Sequence, residues 1–142
     1  MRWSAALLLG LYLVLVARLT LADPSSGQMV FAFADAVATR LSEGRLEWSE
    51  TEVLANIALF VPAGFLLAVV LGRPLLSVVL CLLGSACIEL AQLQYLPSRV
   101  PSLADVQHNG LGGLIGVFAA WPLVLLLSRR SGIEGLKQPM VA

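Results

Sequence analysis

Glu89, Asp105 and His108 are titratable side chains in or beside long apolar runs of this sequence. Two carboxylates in one site can act as acid and base when their surroundings separate their pKa values, and an imidazole can take either part. Hydrogen-bonding groups accompany them at helical intervals. Ser85, Glu89 and Gln92 stand four and three residues apart, so a helix carries them on one face. Asp105, His108, Asn109 and Gly112 share a face of a later helix, and Asn56 opens an earlier apolar run. Arg99 lies between the second and third groups as a counter-ion for Glu89, Asp105 or both. An arginine can also grip a phosphate or carboxylate of a ligand in a low-dielectric pocket. These residues open two kinds of chemistry, polar ligand binding and carboxylate acid–base catalysis. No nucleophile paired with a base and no metal-ligand spacing accompanies them. Cys81 and Cys87 sit within an apolar run, where they read as small buried apolar residues, so no metal or cofactor is expected.

Each group also has a plainer use. Ser102 and Asp105 have S-x-x-D spacing, a capping box at a helix start. Asn56 and Asn109 can simply join helices by hydrogen bonds, and a histidine in the place of His108 is more often an interfacial residue than a catalyst. Gly112 and Gly116 form GxxxG, which lets two helix backbones approach closely; here it would hold its helix against the one carrying Asn56 or the one carrying Glu89. Pro62 frees a backbone carbonyl and is expected to bend its helix near Gly64.

The elements that must position these residues follow from composition. The chain has 142 residues, 58% of them hydrophobic and only 13% charged, and its net charge is zero. Soluble domains are usually about a quarter charged. A mean hydropathy of +0.88 places this chain in a membrane. No basic cluster suggests nucleic acid, so the expected partner is the lipid bilayer. A span needs about 20 mainly apolar residues. Such runs cover about 3–22, 53–72, 75–96 and 104–127, which predicts an all-α integral membrane bundle of four transmembrane helices forming one domain over 1–142. The first run has an alternative reading as a signal peptide cut after Ala22; Pro24 close behind and the multi-span remainder favour a retained span.

Positive residues set orientation. With both termini cytoplasmic, the inner set is Arg2, Arg73, Arg129, Arg130 and Lys137, and the outer set Arg18, Arg40, Arg45 and Arg99. The turn Gly72–Arg73–Pro74 and the tail after Ser128 have the character of cytoplasmic borders. This orientation puts the polar residues in the outer leaflet: Glu89 lies ~24 Å along its helix from Arg73, in a core ~30 Å thick. The first outer loop carries Val30, Phe33, Ala34, Val37 and Leu41 at helical spacing, a short helix at the interface or on top of the bundle. Ser49 and Glu52 have capping-box spacing before the second span.

Three stretches in order carry a resemblance. They are N-x-x-x-F-x-P-x-G (Asn56, Phe60, Pro62, Gly64), S-x-x-x-E-x-x-Q (Ser85, Glu89, Gln92), and Arg99 followed by D-x-x-x-N-x-x-G-x-x-x-G (Asp105, Asn109, Gly112, Gly116). Together they resemble the VanZ-like family of bacterial membrane proteins, over roughly residues 53 to 120. The resemblance implies a small multi-span protein of the bacterial cytoplasmic membrane, linked through the family's namesake to teicoplanin resistance. It implies no defined reaction. The expected function is an outer-leaflet polar pocket, formed by Asn56, Ser85, Glu89, Gln92, Arg99, Asp105 and Asn109, for a lipid headgroup, a lipid-linked precursor or an antibiotic's polar part. The alternatives are a membrane enzyme acting on a lipid-linked envelope substrate and a structural assembly partner. Oligomeric state is left open.

Overall fold

In lipid no water can satisfy backbone N–H and C=O groups, so a spanning segment must bond to itself as a helix. The computed structural model describes residues 2–21, 32, 35–36, 39–40, 47–96 and 102–136. Four long helices account for nearly all of these: α1 (Arg2–Leu21), α2 (Trp48–Leu71), α3 (Pro74–Tyr95) and α4 (Leu103–Leu136). Each is long and apolar enough to cross a membrane, and no strand occurs among the described residues. Much of the surface is bare leucine and aromatic, including Leu7, Leu83, Leu90, Phe118 and Trp121, as a lipid-facing exterior requires. The chain is a multi-pass helical membrane protein.

The helix ends follow local chemistry, with two departures from expectation. The cap of α2 is Glu47, which forms a capping box with Glu50, whose Oε2 accepts the Glu47 N–H at 3.0 Å. Ser49 and Glu52 therefore lie inside the helix. The box has slipped two residues toward the N-terminus because Glu47 already supplies the extended cap backbone. At the start of α4, Ser102 does cap: its Oγ accepts the Ala104 N–H at 3.1 Å. The other half of the expected box goes elsewhere, because the Ser102 N–H donates to Glu89 of α3 rather than to Asp105. Between α2 and α3, Gly72 adopts a left-handed conformation (φ 64°) and donates its N–H to the Ala68 carbonyl, and Pro74 opens α3. In the stretch expected to form a short loop helix, Ala32, Asp35, Ala36, Thr39 and Arg40 are helical; the rest lies outside the described residues.

Packing centres on α2, which touches the other three helices, most extensively α4. The α2–α4 seam is made of small residues. A Cβ on Gly112 would overlap the carbonyl of Ile57, one on Gly116 the carbonyl of Val61, and one on Gly64 the carbonyl of Gly113. Of the two partners open to GxxxG, the structure selects the helix carrying Asn56. Gly110 and Gly113 do the same on the neighbouring flank, against Leu82 and Cys81 of α3. Below the glycines, Phe65, Ala68 and Val69 of α2 meet Val117 and Ala120 of α4.

Helix α1 packs on α2 and α3. Its Tyr12 hydroxyl donates to the Leu59 carbonyl at 2.6 Å. Pro62 has no N–H for the Ala58 carbonyl and its ring crowds that turn. The helix runs on through Pro62, with a neighbouring carbonyl satisfied from another helix.

Glycine spacing makes this seam testable. Gly116→Leu should lower the unfolding midpoint in detergent by an amount corresponding to about 1–3 kcal/mol or more, because backbone cannot step aside. Gly84→Leu should leave it unchanged, since nothing lies within 4 Å of a Cβ there. Equal effects at the two positions would contradict the packing described.

Candidate functional site

The hydrogen-bonding side chains gather at one end of the bundle, where α1 and α3 finish and α2 and α4 begin. Helix order dictates this. Asn56 lies in the third turn of α2, Asp105 and Asn109 in the first two turns of α4, and Ser85, Glu89 and Gln92 in the last three of α3. In an apolar surround such groups must find one another, because lipid offers no partner.

They do so in pairs. Asn56 Nδ2 donates to Asp105 Oδ1 at 2.8 Å, joining α2 to α4. Asn109 Nδ2 donates to Ser85 Oγ at 2.8 Å, joining α4 to α3, and both residues are buried. Ser85 opposite Asn109, with Cys81 opposite Gly113, fixes the antiparallel register of α3 and α4. One turn nearer the helix ends, that register sets Glu89 and Asp105 across from each other. Glu89 Oε2 accepts the Ser102 N–H at 2.9 Å, so a carboxylate from α3 meets the first turn of α4, where the helix dipole is positive.

Gln92 leaves this group. Its Nε2 donates to the Thr20 carbonyl at 2.9 Å and closes the last turn of α1. The reason is the open carbonyls that every helix C-terminus presents. Arg99, expected as counter-ion to Glu89 or Asp105, lies outside the described residues.

Among the described residues, two buried polar atoms have no partner: Asn109 Oδ1 and His108 Nδ1. Asn109 is only 6% exposed, so its unused oxygen cannot be turned to bulk solvent. Among the described residues no group of three or more His, Cys, Asp and Glu side chains is arranged to hold a metal ion. What the arrangement offers is hydrogen bonding and charge. It holds two carboxylates at one level, with a buried amide and an imidazole about a turn deeper.

Sequence reasoning missed Tyr12, Thr20 and the second glycine flank at Gly110 and Gly113. Tyr12 is the only hydroxyl in the middle of the first apolar run, which was a usable signal. Thr20 contributes only its carbonyl, which carries none.

These features define a class: a multi-pass helical membrane protein whose polar residues are drawn to one end of a glycine-packed bundle. A family model described as VanZ/LLP1 matches residues 6–127, and the chain belongs to that family, in agreement with the resemblance carried by Asn56 through Gly116. No curated protein and no solved structure matches the chain.

The Asn56–Asp105 pair can be measured. A double-mutant cycle with Asn56→Ala and Asp105→Ala, read by unfolding in detergent, should give a coupling of about 0.6 kcal/mol and at most ~1.7, the range of interhelical hydrogen bonds in membranes. A coupling of zero would mean that the two side chains do not meet.

Proposed function

We propose that the polar end of this bundle binds the polar part of an envelope ligand, either a lipid headgroup or a lipid-linked precursor. Through that binding it affects susceptibility to glycopeptide antibiotics of the teicoplanin type. The polar end lies in the outer leaflet of the cytoplasmic membrane, and both termini are cytoplasmic. Support for the orientation comes from the opposite end of the bundle. There Arg2 reaches the α2–α3 turn at Gly72, and Arg73 and Arg129 are exposed.

One observation carries the binding reading. Among the described residues, Asn109 Oδ1 and His108 Nδ1 are buried and unpaired, about one turn of α4 beyond Asp105. Leaving a buried polar atom unmade costs about 1–3 kcal/mol, so the polar end is incomplete without a further hydrogen-bonding group. Carboxylates inside a span are expensive to insert, which argues against an idle role.

A second reading has its own support. Asn56, Asp105, Ser85, Asn109, Gln92 and Glu89 all bond across helices, so the cluster also serves to assemble the bundle.

Lipid analysis of the purified chain separates the two. Glu89→Gln and Asp105→Asn keep the acceptor oxygens that Ser102 and Asn56 need, so folding should survive. Binding predicts that a co-purifying lipid falls about tenfold in each variant, the loss of one charge-assisted hydrogen bond. It also predicts altered glycopeptide sensitivity in cells carrying the variants. Unchanged lipid with reduced folded yield supports assembly and overturns binding.

A further inference from the structure

Helix α1 is fastened to the bundle along one side only. Tyr12 bonds to α2, the Thr20 carbonyl accepts from Gln92 of α3, and Val16 between them is buried. The opposite side carries Leu7, Gly10, Val14, Ala17, Arg18 and Leu21, all exposed. Four of these, Val14, Ala17, Arg18 and Leu21, line one cleft of about 380 Å³. Their steps of three and four residues keep them on one helix face. Gly10 lies one turn before Val14 on that face, and a Cβ there would meet nothing within 4 Å. The cleft therefore opens toward the middle of the membrane along a lane with little side chain in it.

Arg18 is the unusual member of this face. Helix α1 has 20 residues, so at ~1.5 Å each it is about as long as the ~30 Å hydrocarbon core. Arg18 stands ~4.5 Å short of its end, close enough for the guanidinium to reach the level of the lipid phosphates. Among the described residues Arg18 has no hydrogen-bond or ion-pair partner. Snorkelling accounts for a cation at this depth, but not for an apolar cleft around its stem.

Charge decides what fits. A second copy docking α1 against α1 in parallel would set Arg18 against Arg18. A choline or ethanolamine headgroup would bring a cation of its own beside the guanidinium. A phosphodiester with an uncharged substituent brings one negative charge and two oxygens, which an arginine can take bidentately. With the phosphate at Arg18, an acyl chain heading for the membrane centre runs past Ala17 and Val14 to Gly10, ~12 Å farther along the helix.

We propose that this outward face of α1 is a lipid site. It holds a glycerophospholipid of net negative charge, with the phosphate on Arg18 and one acyl chain in the lane over Ala17, Val14 and Gly10. The site does not depend on the ligand proposed for the polar end of the bundle.

The full chain in neutral detergent micelles tests this, with phosphatidylglycerol, phosphatidylethanolamine or phosphatidylcholine added at equal mole fraction. The readouts are bound lipid by native mass spectrometry and the thermal unfolding midpoint. Phosphatidylglycerol should be retained roughly tenfold over phosphatidylcholine, and Arg18→Gln should remove that preference, the value of one charge-assisted hydrogen bond. Gly10→Leu should also lower phosphatidylglycerol retention, because its side chain takes the space of the acyl chain. It should not lower the midpoint without lipid, since nothing in the protein lies against that position. It thus keeps the test open if Arg18→Gln folds poorly. A photo-cross-linker in place of Val14 should capture lipid in native membranes. Equal retention of the three lipids, a preference that survives Arg18→Gln, retention unchanged by Gly10→Leu, or capture of a protein at position 14 overturns the site. A preference lost in Asp105→Asn but kept in Arg18→Gln also overturns it, and assigns the lipid to the polar end instead.

Discussion

The close approach of α2 and α4 governs the rest of this structure. Gly112 and Gly116 lie directly on the carbonyls of Ile57 and Val61, and Gly64 lies on the backbone of Gly113. No hydrophobic effect drives helices together inside lipid, so contact must come from packing and hydrogen bonds. Bare backbone on both sides gives the densest contact available. It also sets a distance: helices this close let short side chains such as Asn56 and Asp105 bond directly. With a leucine at Gly112 or Gly116 the helices would stand apart, and the same two polar groups would be left in hydrocarbon.

The other helices are fastened mainly through backbone groups that would otherwise be open. Tyr12 ties α1 to a carbonyl in the turn disturbed by Pro62, and Gln92 ties α3 to the open end of α1. Glu89 completes the start of α4. In each case a side chain satisfies main chain on a neighbouring helix. Polar residues in a span thus serve helix ends and the proline turn before they serve any ligand. Asn109 is the exception, because half of its amide is used and half is not.

Much of this was legible in the sequence. Four apolar runs became four helices, since in lipid an apolar run has one way to satisfy its backbone. GxxxG identified the tight seam, although the sequence alone left open which helix it meets. The spacing of Ser85 with Glu89 and of Asp105 with Asn109 placed these side chains on shared faces. It could not say that Gln92 would turn to α1, because that bond is made to a carbonyl, and every residue has one. The capping boxes show the same limit: Ser49–Glu52 and Glu47–Glu50 both have box spacing, and the extended backbone at Glu47 decided between them. Ser102–Asp105 was half right, because a better-placed carboxylate, Glu89, arrived from another helix.

Oxidative cross-linking in native membranes tests whether the glycine seam brings Asn56 and Asp105 together. The background would be free of Cys81 and Cys87. The pair Asn56→Cys with Asp105→Cys should cross-link readily. Leu54→Cys with Asp105→Cys should not, because Leu54 faces away at 49% exposure. Adding Gly112→Leu should abolish the first cross-link. Equal cross-linking of both pairs, or a 56–105 cross-link that persists with leucine at 112, would contradict the account.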